Sequence, residues 1–224
     1  AKLIREVFAE EYIAVCEGER EVAEALLRER FDKIFFTGST SVGRAVMAAA
    51  AKHLTPVTLE LGGNDAMIVC GDADLEKAAS AVVLGRLARG NGQICCAVKR
   101  VFVEHSAYDA MAELLTEQAR QLKVGNPLDE DTDVGPLINQ KAAEAVEASV
   151  QEAVRAGAVV TAGGHRRDAF VEPTVLTRVP LNVRLFEEEV FGPVAPLVEF
   201  KSIEEATSLA NRSPYGLQAA VFTR

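Results

Sequence analysis

Residues 33–43 read Lys-Ile-Phe-Phe-Thr-Gly-Ser-Thr-Ser-Val-Gly. The first five residues form a short apolar run typical of a buried strand. A glycine-rich turn follows it, and a helical stretch then runs from about Ser41 to His53. This order of strand, turn and helix is the pattern from which we predict the fold.

The same alternation of strand and helix continues on both sides of this stretch. Apolar runs at 12–16, 56–61, 66–70, 99–104 and 219–222 have the length of strands. Two helices are predicted at residues 20–30 and at residues 139–156, which end before Gly157. Capping residues mark three more helices: one from Asp72 or Asp74 toward Ala88, one opened by Ser106 with Asp109 and closed by Gly125, and one opened by a capping box of Ser202 with Glu205. Such alternation predicts an α/β fold with mostly parallel sheets and helices on both faces.

Composition excludes several classes of function. The chain has a formal net charge of -9 and therefore lacks the basic surface that nucleic acids attract. No apolar run reaches the roughly 18 residues that a membrane helix needs, and no export signal opens the chain. The four cysteines have no zinc-ligand spacing, so we expect no metal site and a reducing, cytoplasmic setting. The chain starts at Ala1 without Met and stops just after a strand-like run, so we expect it to be a segment of a longer protein.

The turn at Gly38–Gly43 is a candidate site for a diphosphate. Backbone N–H groups and the positive end of the helix dipole would face an anion there, glycine would let it approach closely, and Ser39 and Thr40 would add hydroxyl donors. The turn is not the usual dinucleotide fingerprint, which spaces its glycines differently. It is not a Walker A loop either, because Arg44-Ala45 stands where Lys-Ser/Thr is required. The alternative is a tight strand-to-helix turn with a polar cap.

Glu60, in Thr-Leu-Glu-Leu-Gly-Gly (58–63), is a candidate general base. A charged glutamate in an apolar strand is costly unless it is paired, solvated or partly protonated, and such a carboxylate can take up a proton near neutral pH. The alternative is a glutamate at the end of a strand that faces solvent.

Cys95, in Gly-Gln-Ile-Cys-Cys-Ala (92–97), is a candidate nucleophile because a loop between a helix and a strand can expose a thiol. The alternative is that both cysteines are small buried apolar residues. None of the three histidines lies in a recognisable catalytic context, so a Cys-His pair is poorly supported and a Cys-Glu system remains.

Three consecutive acids precede Val-Phe-Gly-Pro at residues 187–193. A carboxylate at such a loop can bind the two hydroxyls of a ribose. Taken alone, the run is more typical of a solvated charge cluster at a turn.

Together and in this order, these motifs resemble the aldehyde dehydrogenase superfamily over essentially the whole chain. The resemblance includes the linking stretches Val-Gly-Pro-Leu-Ile (134–138), Glu-Pro-Thr-Val-Leu (172–176) and the segment 209–217. It implies Cys95 as nucleophile and Glu60 as general base. It also implies a cofactor site for NAD or NADP, which comprises Gly38, Ser39, Thr40, Val42 beside the adenine, Gly43, Leu61, Gly62, Glu189 on the nicotinamide ribose and Phe191 near the nicotinamide.

The resemblance implies a mechanism in which the Cys95 thiolate attacks the aldehyde and forms a thiohemiacetal. Hydride then leaves to the nicotinamide, and water activated by Glu60 hydrolyses the resulting thioester to the acid. The Cys95 N–H would be one oxyanion donor. An enzyme that passes the acyl group to coenzyme A typically lacks a working glutamate at position 60, so hydrolysis is favoured, and a non-catalytic fragment is the other alternative.

The family's oxyanion-hole asparagine and adenine-ribose lysine lie upstream of this chain, so we expect little or no activity from these 224 residues alone. The family pattern places residues 1–62 in the rear part of a dinucleotide-binding domain and residues 63–224 in the catalytic domain. It also implies a homodimer or homotetramer. The segment around Cys95 is loosely similar to enzymes acting on lactaldehyde and semialdehydes.

Overall fold

In the computed structural model, which describes residues 1–224, the chain divides into one unit of residues Ala1–Leu61 and another of residues Gly62–Arg224. The elements of the first unit are α1 (Lys2–Val7), α2 (Arg20–Leu26), β1 (Ile34–Thr37), α3 (Thr40–Ala51) and β2 (Val57–Glu60). Strands β1 and β2 pair in parallel, and Thr37 lies opposite Glu60. Helix α3 connects them and buries Gly43, Val46 and Ala50 along one face.

The second unit is built on a six-stranded sheet. Its elements are β3 (Asp65–Val69), α4 (Leu75–Val82), β4 (Val98–Glu104), α5 (Tyr108–Arg120), α6 (Gln140–Arg155), β5 (Val159–Ala162), β6 (Arg166–Arg167), β7 (Phe170–Val171), β8 (Thr174–Thr177), α7 (Arg184–Glu187), β9 (Val194–Phe200), α8 (Ile203–Ala210) and β10 (Ala219–Phe222). The strand order is β10-β3-β4-β9-β8-β5, and only β5 runs antiparallel to its neighbour. This confirms the predicted α/β fold with a mostly parallel sheet.

Both faces of this sheet are covered, because successive side chains of a strand point to opposite faces. In β4, Val101 and Val103 pack with the buried residues of α4 and α5, whereas Phe102 packs with α6 and with Phe186 of α7. Burial on both faces accounts for the nearly continuous apolar sequence of the central strands. The loop that carries Cys95 leads directly into β4 and is therefore anchored to a buried strand.

The predicted caps at Asp74 and Ser202 are confirmed, and Asn139, predicted only as the start of a helix, is a cap as well. The carboxylate of Asp74 accepts from the N–H of Lys77 at 3.2 Å, and Asn139 accepts from Ala142 at 2.8 Å. Ser202 accepts from the N–H of Glu205 at 3.3 Å. These side chains satisfy backbone donors that no carbonyl within the helix can reach.

Other local predictions were wrong. Residues 12–16 form no strand. Helix α5 begins after a 3₁₀ turn, His105–Ala107, without a side-chain cap, because the Ser106 hydroxyl turns to Glu104 instead. The helix ends at Arg120, and Gly125 pairs its N–H with the carbonyl of Val134 in the loop beyond it.

Three features of the second unit were not predicted. Strands β5 and β8 form an antiparallel edge, β6 and β7 form a separate hairpin, and α4 continues into a π-helix, Val83–Ala88. Each strand there is four residues or fewer, too short for its periodicity to be read. None of the helices combines the length and the apolar character needed to cross a membrane.

Candidate active site

The glycine-rich turn of the first unit connects β1 to α3. The Ser39 hydroxyl caps α3 by accepting from the N–H of Val42 at 3.4 Å. The N–H of Gly38 donates to the Glu60 carbonyl at 3.0 Å, so it belongs to the strand pair. A side chain at Gly38 would lie 2.5 Å from the ring of Phe36. Both glycine and cap thus have a local structural role, as the strand-to-helix alternative predicted.

The remaining N-terminal residues of α3 stay accessible. Thr40 is half-buried, and Val42 is exposed although it is apolar. A Cβ at Gly43 would lie 2.6 Å from Leu61, so this glycine lets the helix approach the end of β2. The turn therefore combines an accessible helix N-terminus with an exposed apolar side chain, which suits an anion attached to an apolar group.

Glu60 is the last residue of β2. Its carboxylate is exposed and makes no hydrogen bond or ion pair within the chain, while its backbone pairs with β1. This placement is the solvent-facing strand end that the sequence left open as the alternative. The Glu60 carboxylate is therefore accessible to water.

The thiol lies in a loop shaped by backbone of unusual conformation. The loop follows the π-helix, and Gly90, Asn91 and Gly92 all have positive φ. A Cβ at Gly92 would lie 2.3 Å from the Gly192 carbonyl oxygen. Cys95 itself is half-buried, and its N–H donates to no acceptor in the chain. The thiol is therefore neither sealed in the core nor freely solvated.

Amide side chains that the sequence analysis did not single out hold this loop. The Asn91 side chain accepts from the N–H of Gly135 at 3.0 Å and donates to the Pro136 carbonyl at 3.0 Å. Gln93 accepts from the N–H of Ile138 at 2.9 Å. The stretch 134–138, one of the linking stretches of the sequence, thus braces the thiol loop. Of these two amides, only Gln93 lies inside the Gly-Gln-Ile-Cys motif and could have been selected from the sequence.

Arg86 joins the thiol loop to the acidic loop before β9. Its guanidinium is fully buried and donates to the carbonyls of Val194 at 2.6 Å, Val190 at 2.9 Å and Gly92 at 3.3 Å. Burial lowers the pKa of Arg86 to about 9. Removal of this side chain would leave three carbonyl groups without their donor.

The three consecutive acids separate into two kinds. Glu187 and Glu188 are exposed, as expected of a solvated charge run, whereas the side chain of Glu189 is only 17% exposed. Its Oε1 accepts from the N–H of Gly63 at 3.1 Å, and a Cβ at Gly62 would lie 1.9 Å from its Oε2. Gly62 therefore leaves the space that the carboxylate occupies.

Lys99 brings the thiol loop and Glu189 together. Its Nζ donates to the carbonyls of Ile94 at 2.9 Å and Cys95 at 2.8 Å, and it lies 3.4 Å from Glu189 Oε1. The Phe191 ring, 42% exposed, has its centroid 5.7 Å from the same nitrogen. The second unit thus gathers the Cys95 carbonyl, Glu189 and Phe191 around one ammonium group that was not predicted from the sequence.

Burial shifts the pKa values of the charged groups in this region. Burial lowers the pKa of Lys99, as does the nearby charge of Arg86, while Glu189 and Asp65 oppose that change. Burial likewise raises the pKa of Asp65, whose Oδ1 accepts from the N–H of Gln218 at 3.0 Å. The Lys99 ammonium, held by two carbonyls, is the cation that pairs with Glu189.

A model of the aldehyde dehydrogenase family matches residues 1–224. The chain is 45% identical over 204 residues to a 3-sulfolactaldehyde dehydrogenase of Priestia aryabhattai, covering 91% of this chain and 42% of that protein. It is 44% identical to the mitochondrial succinate-semialdehyde dehydrogenase of Arabidopsis thaliana, covering 91% and 39% of the two chains. The chain therefore spans less than half the length of these relatives.

Solved structures agree with the sequence relatives. An Escherichia coli structure described as an NADP-dependent enzyme matches with a TM-score of 0.90 and 38% identity over 94% of this chain and 44% of that chain. Lactaldehyde dehydrogenase from Escherichia coli matches with a TM-score of 0.82 and 42% identity, covering 86% and 41%.

Proposed function

Since the chain belongs to the aldehyde dehydrogenase family, we propose that the protein carrying it oxidises a small aldehyde to the carboxylic acid, with NAD or NADP as the hydride acceptor. Residues 1–62 would form the rear part of the dinucleotide-binding domain, and residues 63–224 the catalytic domain. The division of the chain after Leu61 supports this assignment.

One observation carries the proposal. The Lys99 ammonium contacts the Cys95 carbonyl and lies 3.4 Å from Glu189, so the proposed nucleophile and the proposed ribose-binding carboxylate share one partner. These residues are far apart in sequence, and only the packing of the second unit brings them together. Their convergence is what a thiol that works beside a nicotinamide ribose requires.

The cofactor fits the residues that the structure provides. Glu189 Oε2 lies over Gly62, where a Cβ would leave it no room. The absence of a side chain at Gly62 therefore allows the carboxylate to take this position. Glu189 would accept from ribose hydroxyls, and the turn at Gly38–Gly43 would hold the diphosphate. NAD or NADP, when bound, supplies the hydride acceptor that the side chains of proteins lack.

The chain's own residues account for the remaining chemistry. The Cys95 thiolate adds to the aldehyde carbon, and the oxygen that becomes negative needs a donor, for which the Cys95 N–H is available. After oxidation the acyl group is held on sulfur as a thioester. Glu60 would take a proton from the water that adds to the thioester carbon, and cleavage of the C–S bond would then release the acid and the Cys95 thiolate.

Replacing each cysteine of the adjacent pair tests the proposal. In a full-length protein that contains these residues, we expect Cys95→Ser to lower aldehyde-dependent reduction of NAD or NADP by at least roughly 10³-fold. Cys96→Ser, an equally conservative change one residue away, should retain turnover within about threefold. Suitable aldehydes are those named for the relatives, 3-sulfolactaldehyde and succinate semialdehyde.

Product analysis and alkylation complete the experiment. The acid should form without coenzyme A, and iodoacetamide should label Cys95 before Cys16, Cys70 and Cys96. Full turnover by Cys95→Ser, or a product that appears only as an acyl-coenzyme A ester, would contradict the proposal. Glu60→Gln should slow the release of the acid more than the first formation of NADH or NADPH in a single turnover.

A further inference from the structure

Lys99 is a charged residue whose side chain is almost completely buried. Its side chain is 1% exposed, at the second residue of β4. An ammonium has three N–H donors and no acceptor, so burial is tolerable only where three acceptors surround it. The carbonyls of Ile94 and Cys95 and the carboxylate of Glu189 are those acceptors.

The two carbonyls belong to the two peptide units that flank the Cys95 Cα atom. A peptide unit is planar, and every peptide bond in the chain is trans, so the Ile94 carbonyl and the Cys95 N–H point in opposite directions from one rigid plane. Holding the Ile94 oxygen at 2.9 Å therefore sets the direction of the Cys95 N–H. The bond to the Cys95 carbonyl at 2.8 Å fixes the following plane as well.

The contact between the Lys99 ammonium and the Ile94 carbonyl oxygen has a second effect. It polarises the peptide unit and strengthens the N–H at its other end as a donor, because linked hydrogen bonds reinforce one another. The Ile94 oxygen also accepts from the N–H of Ala97 at 3.1 Å. The Cys95 N–H, which has no acceptor in the chain, is thus both oriented and strengthened toward an external oxygen.

The third contact of Lys99 acts on the cofactor side. Glu189 Oε1 lies 3.4 Å from the ammonium and accepts from Gly63 at 3.1 Å. With Oε1 engaged twice, Oε2 above Gly62 is the oxygen left for a ligand. The same side chain that fixes the thiol loop therefore orients the carboxylate proposed to bind ribose.

We propose that Lys99 is a positioning residue of aldehyde oxidation, which directs the Cys95 N–H at the oxygen of the reacting carbonyl and orients Glu189 for the cofactor. This inference rests on the proposed function. Lys99 acts through the peptide units and through Glu189 and does not contact the substrate. A purely structural lysine would join β4 to the loop and leave the chemistry unaffected.

Kinetics of Lys99 variants in the full-length protein separate these roles. Lys99→Met removes the charge and all three contacts at similar length, and Lys99→Gln is a neutral variant that can still donate one hydrogen bond. For both we expect kcat per titrated thiol to fall roughly 10- to 100-fold, less than the loss of an oxyanion donor outright. The KM for NAD or NADP should rise about 10-fold, as for a lost charge-assisted hydrogen bond.

Alkylation provides the readout that a structural role would not reproduce. Iodoacetamide reacts at sulfur without forming an oxyanion, so its rate at Cys95 should stay within about threefold of wild type. Lys99→Arg, which keeps a cationic donor, should recover kcat to within about tenfold. Lys141→Met, the same change at an exposed site on α6, is the matched control and should match wild type in every measurement.

Each outcome decides the question. A loss of kcat without loss of alkylation supports the inference. Wild-type kcat in Lys99→Met and Lys99→Gln overturns it, and so does a parallel fall of kcat and alkylation rate. If wild type reduces no NAD or NADP with any aldehyde, or if Cys95→Ser retains turnover, the proposed function itself fails, and that result is distinct from a failure at Lys99.

Discussion

Gly62→Ala tests the link between the backbone and the proposed cofactor carboxylate. The added Cβ would lie 1.9 Å from Glu189 Oε2 and 2.8 Å from its Cδ. Ordinary contact needs about 3.4 Å, so the carboxylate must move by roughly 1.5 Å. A shift of that size disrupts the 3.1 Å bond from the Gly63 N–H and displaces Oε2 from its present position.

The expected cost falls on binding and leaves folding nearly unchanged. Loss of one charge-assisted hydrogen bond to a ribose hydroxyl weakens the cofactor by about 1.5–3 kcal/mol, or roughly 10- to 150-fold in Kd. The clash involves the end of a flexible side chain, and Gly62 has no positive φ, so the free energy of unfolding should change by less than about 1 kcal/mol.

Calorimetric titration of full-length protein with NAD and NADP measures the effect. Gly216→Ala is the control, because a Cβ there meets nothing within 4 Å. The reasoning is refuted if Gly62→Ala binds the cofactor within twofold of wild type. It is also refuted if binding falls only in proportion to a loss of folded protein.

Three further predictions concern stability. Gly92→Ala should destabilise the protein by about 3 kcal/mol or more in urea unfolding, because the residue has a φ of +68° and its Cβ would lie 2.3 Å from the Gly192 carbonyl oxygen. Leu115→Ala, at a fully buried position of α5, should cost about 2–5 kcal/mol in the same assay. Hydrogen bonds from Arg184 hold the pKa of Glu152 below its ordinary value, so Glu152→Gln should cost about 0.5–1 kcal/mol at pH 7. That deficit should persist above the unfolded pKa of about 4.3 and disappear in thermal unfolding as pH falls through the folded pKa.

Matched variants bound these predictions. Leu128→Ala, at a position that is 89% exposed, should change stability by less than about 0.5 kcal/mol. Gly85→Ala places a Cβ at an ordinary 3.6 Å from Val98 and should cost far less than Gly92→Ala. A Glu152→Gln deficit that grew toward low pH would contradict the sign derived for that carboxylate.

Local sequence patterns predicted the fold to the extent that the elements are locally determined. The strands around Ile68 and Phe102 were found because buried parallel strands are continuous apolar runs. The run at 33–37 also forms a strand, but the prediction that it is buried was wrong, because Phe35 is 66% exposed. The caps at Asp74 and Ser202 were found because they bond to N–H groups three residues away. The antiparallel edge β5–β8 was missed because a short strand is defined by its partner more than by its own residues.

The candidate site was predictable as a set of motifs but not as an arrangement. The Gly-Gln-Ile-Cys motif pointed to Cys95, and three acids pointed to a carboxylate at 187–189. Charge and spacing alone do not distinguish Glu189 from Glu187 and Glu188, and it was the family resemblance that pointed to Glu189. Only the packed structure shows that Glu189 turns inward while the other two stay exposed.

The sequence by itself determined the alternation of elements, the family and the residue types available for chemistry, since these follow from periodicity and from contacts between near neighbours. Tertiary structure alone decided that Lys99 meets both the Cys95 loop and Glu189. The physical reason is the parallel pairing of β4 with β9. Because the two strands run side by side in the same direction, Lys99 near the start of β4 lies beside the loop that precedes β9 and carries Glu189. The buried ammonium there contacts the carbonyls of Ile94 and Cys95 and the Glu189 carboxylate.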